Sequence, residues 1–215
     1  MSNGQIPKQG RPSDPVKRQA IIVAAAERFL DAGFAASSIE QIASAAGVSK
    51  VTIYNHFGDK STLFTAAVEH ECEKLRGHLV IDTSGDGTLR TRLLALGEAI
   101  VAFLSRPELV KFERRIAAET EREPEVGLAF LNAGPRRIKA GFALLLAGMA
   151  EAGELVIDDP GLAAEQFVSM CKGLGDLERR FGSANDPERN RERIEGAVEV
   201  FLRTYSADTG EIARA

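Results

Sequence analysis

The sequence predicts an all-α protein in which a three-helix head precedes a larger helical body. Three observations indicate this class. Hydrophobic residues make up 44% of the chain but aromatic residues only 6%, so alanine and leucine must do most of the packing. Apolar residues recur at intervals of three and four along most of the chain, which is the period of an amphipathic helix. Many of these stretches begin at a proline or a small polar residue, as helices commonly do.

The composition and charge of the 215-residue chain narrow the possible functions. The formal net charge of -4 argues against a protein that coats nucleic acid, but residues 1–60 carry seven Lys/Arg and five acidic residues, a charge of +2. Cys72 and Cys171 match no metal-binding spacing and are expected to be buried thiols. No stretch resembles a signal peptide or a membrane span. We therefore expect a cytoplasmic protein that binds no membrane, cofactor or metal.

The first predicted elements are a polar arm and one helix. Residues 1–13 are polar and rich in glycine and proline, which predicts a disordered arm. Asp14 followed by Pro15 predicts a helix start, and Gly33 predicts its end. The buried face of this helix is expected to contain Ile22, Ala25, Ala26, Phe29 and Leu30. It opens the head, which we place at residues 14–60.

Residues 37–60 have the pattern of two short helices joined by a tight turn. Ser37 and Glu40, three positions apart, predict a capping box at the start of the first helix. Gly47 predicts its end, because glycine adopts the left-handed conformation of a helix C-cap at little cost. Ser49 then predicts the cap of the second helix.

The second of these helices is rich in hydrogen-bonding groups. Its polar side chains are Lys50, Thr52, Tyr54, Asn55 and His56, and its apolar ones are Val51, Ile53 and Phe57. An apolar first helix, a glycine turn and a polar second helix form a helix-turn-helix, whose second helix enters the DNA major groove. The alternative, a simple bend between two apolar helices, would not need polar side chains at this density.

The rest of the chain is predicted to form a linking helix and six further helices. The linking helix covers residues 59–80, and the body as a whole covers residues 61–208. The further helices are expected at residues 88–105, at 107–121, from Pro124, from Pro135 to about Gly153, from Pro160 and from Pro187.

Several runs of residues agree in order and spacing with a known pattern. In the head these are residues 39–43, 46–50, 53–57 and 63–64 with Lys60. They resemble the DNA-binding signature of the TetR family of repressors. In the body, residues 103–109, 132–135, 153–155 and 158–167 resemble more loosely the C-terminal domain of the AefR-like branch of that family. The resemblance implies a DNA-binding helix-turn-helix head joined to an effector-binding and dimerisation domain.

The resemblance also implies which residues contact the DNA backbone. Tyr54, His56 and Lys60 occupy positions that usually clamp phosphates, with Ser38 and Thr62 as weaker candidates. These contacts would supply affinity and register rather than sequence choice.

Other residues of the second helix are expected to contact base edges. Lys50 and Thr52 lie near its start, where a lysine can pair with guanine and a threonine can contact a thymine methyl group. Asn55 and Val51 depart from the family pattern, which often has an aromatic residue and a glycine at these positions. Both departures bear on which operator is bound.

One short helix supplies too little affinity alone, so we expect a homodimer on a near-palindromic site in double-stranded DNA. In the family, the last two helices of each subunit form a four-helix bundle. The resemblance therefore implies an interface that contains Phe167, Cys171, Leu174, Leu177, Phe181, Ile194, Val198 and Phe201. The alternative is that these apolar residues close the core of their own subunit.

The middle helices are implied to enclose a pocket for a small apolar or amphipathic effector. Its candidate residues are Phe103, Phe112, Arg115, Ile116, Phe130, Phe142, Met149, Phe167 and Met170, with Glu119 nearby. Each of them is also compatible with ordinary core packing. An effector that favours a tilted linking helix would spread the two heads of a dimer and release DNA.

Two other classes of protein remain as alternatives to a ligand-responsive repressor. An architectural or effector-independent DNA-binding protein would carry the same head without an internal cavity. A helical enzyme is disfavoured, because the sequence contains no glycine-rich phosphate loop, no HExxH motif and no plausible Ser-His-Asp set. His70, Glu71 and His78 have a spacing that could hold a metal weakly, but a solvated helix face explains them better.

Overall fold

The computed structural model of the protein describes residues 15–78 and 87–207, with their side chains except those of 74–78. The predicted arm at residues 1–13 lies outside these ranges. Within them ten helices form and no strand does, which confirms the all-α class. The helices are α1 (Pro15–Ala32), α2 (Ile39–Ala45), α3 (Lys50–Phe57), α4 (Lys60–His78), α5 (Leu89–Leu104), α6 (Pro107–Thr120), α7 (Pro124–Ala133), α8 (Pro135–Glu151), α9 (Pro160–Arg180) and α10 (Pro187–Tyr205).

Most predicted helix starts are confirmed, because the local signals are satisfied as expected. Proline occupies the first turn of α6 to α10. The side chains of Thr88, Asp159 and Asp186 cap α5, α9 and α10, each accepting a hydrogen bond from a backbone amide three residues later, at 3.0–3.2 Å.

The predicted cap of α2 is wrong by one residue. Ser38, not Ser37, is the N-cap, and its hydroxyl accepts a hydrogen bond from the amide of Gln41 at 3.2 Å. The side chain of Gln41 in turn accepts one from the amide of Ser38, so the capping box is Ser38 with Gln41. Ser37 is buried and donates its hydroxyl to the carbonyl of Gly33 at 2.6 Å, because its side chain faces the end of α1.

The first of two hydrophobic cores joins the head to the body. It combines buried residues of α1 to α4 with residues of α6 and α7. Phe29, Phe64, Phe112 and Phe130 form an aromatic chain through it, with successive ring centroids 5.2, 6.1 and 5.6 Å apart. The core is therefore continuous across residue 60, because α4 begins in the head and then packs against α7.

The second core is formed by α5, α8, α9 and α10. Phe167 lies at its centre, with its ring centroid 5.4 Å from that of Phe142 and 5.2 Å from that of Phe201. All three side chains are buried within the subunit. This core holds the two last helices together, while the first core holds the head.

Helix α9 is interrupted at Gly173, where φ is 49° and ψ is -152°. A side chain would be strained at this φ, and a Cβ atom would lie 3.1 Å from Cδ of Arg193 in α10. The kink therefore depends on glycine. Beyond it, α9 presents Leu174 and Leu177 to the surface, followed by Phe181 at its C-cap.

Candidate nucleic-acid interface and effector cavity

Helix α3 is anchored by two side chains and presents the others outward. Ile53 and Phe57 are buried, whereas Val51 is 62% and Tyr54 44% exposed. Of the remaining predicted DNA contacts, Lys50 and Asn55 are exposed, and Thr52 and His56 are half-buried. The polar face of the helix is thus accessible to a partner as large as double-stranded DNA.

The turn before α3 sets the direction of this face. Gly47 follows the C-cap Ala46 with a φ of 65°, so the predicted left-handed glycine at the end of α2 is confirmed, one position after the cap itself. The hydroxyl of Ser49 accepts a hydrogen bond from the amide of Thr52 at 3.1 Å, which satisfies one free amide at the start of α3. The two hydroxyls also lie 2.9 Å apart, which orients the Thr52 side chain.

Two of the predicted cations already have neighbours within the head. Nζ of Lys50 lies 3.0 Å from a carboxylate oxygen of Glu40, and this bond lowers the pKa of Glu40 and raises that of Lys50. Nζ of Lys60 lies 4.3 Å from the ring centroid of Phe34 and 3.4 Å from the carbonyl oxygen of Ala35. Burial lowers the pKa of Lys60. A DNA contact from either lysine requires it to leave these partners.

Ser38 and Thr62, the two weaker candidates for phosphate contacts, differ in how accessible their side chains are. Ser38 is half-buried, and its hydroxyl is engaged in the cap of α2. Thr62 is exposed near the start of α4, and its amide donates to Asp59 at 2.7 Å. The bond from Thr62 lowers the pKa of Asp59.

A cavity of about 740 Å³ lies beside the head, between the two cores. Of the predicted effector residues, Phe103, Phe112, Ile116 and Phe130 line it. Further apolar lining residues that were not predicted are Phe29, Val68, Leu109, Leu128 and Leu131. Three members of the aromatic chain, Phe29, Phe112 and Phe130, therefore belong both to the first core and to the cavity wall.

Four predicted effector residues lie elsewhere. Phe142, Met149 and Phe167 are buried in the second core, and Met170 packs against that core. The sequence could not separate them from the lining residues, because apolar periodicity reports that a side chain is buried but not which core it enters.

Arg115 also lies outside the cavity, because it faces the end of α1. Its guanidinium donates to the carbonyl oxygen of Leu30 at 3.0 Å and to that of Asp31. Glu119, one turn later on α6, accepts a hydrogen bond from the amide of Ala35 at 3.1 Å. These two side chains therefore join α6 to the junction between α1 and α2.

The cavity has a polar wall that was not predicted. Glu165, Ser169 and Lys172 of α9 line it at helical spacing, Arg180 lines it beyond the kink at Gly173, and Glu113 of α6 completes the wall. A carboxylate oxygen of Glu113 lies 3.1 Å from Arg180. Burial raises the pKa of Glu113. The helical spacing of Glu165, Ser169 and Lys172 was the available signal in the sequence, whereas nothing local identified Arg180 or Glu113.

The predicted dimer residues divide into two sets. Phe167, Cys171, Ile194, Val198 and Phe201 are buried in the second core of their own subunit. Leu174, Leu177 and Phe181 are 62%, 50% and 84% exposed. Two apolar residues that were not predicted, Leu162 and Val200, are also exposed, at 50% and 52%. The alternative of subunit core packing thus describes the first set, and only the second forms an accessible apolar surface on α9 and α10.

The cysteines and histidines form no reactive cluster in the part of the chain that the structure describes. No group of three potential metal ligands occurs there. Burial raises the pKa of Cys72 to about 11 and that of Cys171 to about 12, so both thiols stay protonated at neutral pH. None of the described helices is both long and apolar enough to cross a membrane.

An outward-facing polar helix, carried on a buried helix across a glycine turn, defines a helix-turn-helix DNA-binding regulator. Sequence comparison identifies the family. Residues 21–67 match the profile of the bacterial regulatory proteins of the tetR family, and residues 91–207 match that of the AefR-like transcriptional repressor C-terminal domain. The chain belongs to the TetR family, whose members are transcriptional regulators that bind DNA. The resemblance predicted for head and body is confirmed.

Known proteins are similar to this chain over head and body together. The transcriptional regulator BetI of Rhizobium meliloti is 31% identical over 172 residues, which cover 79% of this chain and 80% of BetI. A TetR-family regulator from Mesorhizobium loti has a crystal structure with a TM-score of 0.76 and 30% identity, covering 91% of this chain and 99% of that one. The flavonoid-responsive regulator FrrA has a TM-score of 0.71 and 33% identity, covering 90% of this chain and 98% of its own.

Proposed function

We propose that the protein is a ligand-responsive transcriptional repressor that binds a near-palindromic operator as a homodimer in the cytoplasm. The observation that carries this proposal is that the first core supports both the DNA-binding helix α3 and the effector cavity. The aromatic chain runs from Phe29 in the head to Phe112 and Phe130 in the cavity wall. A ligand that changes the packing of these rings would act directly on the elements that hold α3. The match to an AefR-like repressor domain supports repression.

On DNA, α3 would lie in the major groove. Lys50, Thr52 and Asn55 would contact base edges, with Lys50 exchanging Glu40 for guanine or a phosphate. Tyr54 and His56 would contact the backbone. The half-site would thus be read by one face of an eight-residue helix, which is why two subunits are needed.

The exposed apolar residues of α9 and α10 would form the dimer interface. Phe181 and Leu174 are among the most exposed large apolar side chains of the described residues, and exposed apolar surface often marks an interaction site. Burial of this surface in a symmetric four-helix arrangement would set the distance between the two α3 helices. The half-site spacing of the operator would follow from that distance.

The effector would occupy the cavity and change the position of the head. The apolar wall and its polar stripe suit an amphipathic molecule, and the similar regulator FrrA is flavonoid-responsive, which supports an aromatic one. Movement would pass through α4 and also through α6, since α6 lines the cavity and bonds to the end of α1. The effector would release DNA only by its difference in affinity for the two positions.

The test is a footprint of the purified protein on the DNA upstream of its own coding region. We expect protection of an inverted repeat whose half-site centres lie about 10 bp apart or a multiple of this. Tyr54→Phe and Asn55→Ala should each weaken binding about tenfold. The matched control is Tyr205→Phe, because the hydroxyl of Tyr205 bonds to Gln166 within the body. Equal binding to unrelated DNA would favour the architectural alternative.

A further inference from the structure

We propose that the effector is an organic anion, with a carboxylate or equivalent group held by Lys172 and Arg180 and an apolar body on the phenylalanine rings opposite. This inference rests on the proposed function, because it takes the cavity to be the effector site. It specifies the charge of the ligand, and so distinguishes an acid from a neutral molecule or an amine.

A group of ion-paired side chains at the polar wall has an excess of positive charge. Lys172, Arg179 and Arg180 share the two carboxylates of Asp176 and Glu113, which leaves a net charge of +1. Lys172, Arg180 and Glu113 line the cavity itself, whereas Asp176 and Arg179 do not. Asp176 alone lies 3.0 Å from Lys172, 3.2 Å from Arg180 and 3.8 Å from Arg179. We call these five residues the charge network.

Other charged side chains along the cavity have a partner of opposite sign. Lys139 lies 3.0 Å from Glu165, and Glu71 lies 3.3 Å from Arg106. They therefore do not offset the excess in the charge network. An incoming anion would complete the network, whereas a cation would add to its excess.

Arg180 has donor capacity beyond its two ion pairs. Its Nη2 atom serves both Glu113 and Asp176, at 3.1 and 3.2 Å. Its Nε atom is buried and has no hydrogen-bond acceptor among the described residues. A buried donor without an acceptor is unfavourable, so a rotation of the guanidinium that brings Nε to a ligand oxygen in the cavity would be favoured.

Glu113 is the group that an anionic ligand would displace. It faces Arg180, Asp176 and Lys172 from α6, and burial opposes its charge strongly enough to raise its pKa. Glu113 therefore takes up a proton more readily than an exposed carboxylate, and in that state it would no longer compete with a ligand anion for the charge of Arg180. On the other wall, Phe103, Phe112 and Phe130 offer apolar surface but no charge.

Three matched probes test the charge of the ligand: biphenyl-4-carboxylate, the neutral biphenyl-4-carboxamide and the cationic biphenyl-4-methanamine. Each is titrated into the full-length protein by calorimetry, without DNA. We expect the carboxylate to bind at least tenfold more tightly than the carboxamide, and the amine to bind most weakly. Equal or tighter binding of the carboxamide or the amine overturns the proposal but leaves the effector cavity intact. Binding by none of the three overturns the cavity as an effector site, and the inference with it.

Two substitutions that should change carboxylate binding in opposite directions test the roles of Arg180 and Glu113. Arg180→Gln should reduce the ratio of carboxylate affinity to carboxamide affinity to about one. Glu113→Gln should tighten carboxylate binding several-fold and leave carboxamide binding unchanged, because it frees Arg180 without changing the shape of the wall. Loss of folding would weaken both probes together, so it is distinguishable from these results. The control is Arg137→Gln on α8, which pairs with Glu69 outside the cavity. A Glu113→Gln protein that binds both probes as the parent does contradicts the proposal.

Discussion

At the scale of single residues, the surface that we propose to contact DNA contains an ion pair that would compete with DNA. Glu40 on α2 binds Lys50 at the start of α3, and both side chains are more than half exposed. Exposed pairs of this kind contribute little to stability, so the pair mainly determines where the lysine points. It also keeps a negative charge next to α3, the helix that we propose to enter the major groove.

We predict that Glu40→Gln strengthens operator binding several-fold at low salt. The substitution frees Lys50 and removes a carboxylate that repels phosphates. The slope of log affinity against log salt concentration should steepen by about two, one for the freed Lys50 of each subunit, measured by fluorescence anisotropy. Glu195→Gln, an exposed acid on α10, is the matched control and should change neither quantity. An unchanged slope in Glu40→Gln would mean that Lys50 makes no new contact.

At the scale of elements, α6 has two different faces. Phe112 and Ile116 face the cavity, while Arg115 and Glu119 bind backbone atoms at the α1–α2 junction. An amphipathic helix normally has one face toward a core and one toward water. Here the second face includes specific bonds to the head, which makes α6 a direct connection between cavity and DNA-binding elements.

We predict that Arg115→Ala loosens the head without disturbing the second core. Loss of the charge-assisted bonds to Leu30 and Asp31 should lower the free energy of unfolding by about 2 kcal/mol. Hydrogen exchange measured by mass spectrometry should accelerate in α2 and α3 and stay unchanged in α10. Arg114→Ala is the control, because Arg114 is exposed on the same helix. Equal hydrogen-exchange protection of α2 in Arg115→Ala and Arg114→Ala would show that Arg115 does not attach the head to α6.

At the scale of the whole molecule, the surface beyond the α9 kink decides how two subunits can meet. Leu174, Leu177 and Phe181 are exposed, and the second core is complete without them, because all of its α9 residues precede Gly173. Mutation at this surface should therefore affect assembly more than folding.

We predict that Phe181→Asp gives a folded monomer. The side chain is 84% exposed in the subunit, so the charge costs little there, but it would be buried without a partner in a dimer. Light scattering should report the monomer mass, and operator affinity should fall about a hundredfold or more because only one half-site is bound at a time. Leu144→Asp, at a 75% exposed position on α8, should remain dimeric. A dimeric Phe181→Asp protein would exclude this surface as the interface.

The sequence by itself determined the features that depend on neighbouring residues. The proline and aspartate starts of α9 and α10, the Gly47 turn and the outward polar face of α3 all follow from contacts within a few positions. Even the misplaced cap of α2 was wrong by only one residue, because two adjacent serines offered the same signal and only the end of α1 distinguishes them.

The tertiary structure decided everything that depends on which elements meet. Periodicity identified Phe112 and Phe167 equally as buried, yet one lines the cavity and the other fills the second core. Arg115 was expected near the effector and instead binds the end of α1. The charge network joins Glu113 to Arg180 across 67 residues, and no local pattern contains that contact. The physical reason is that amphipathic spacing specifies that a face is covered, whereas the packing of helices specifies what covers it.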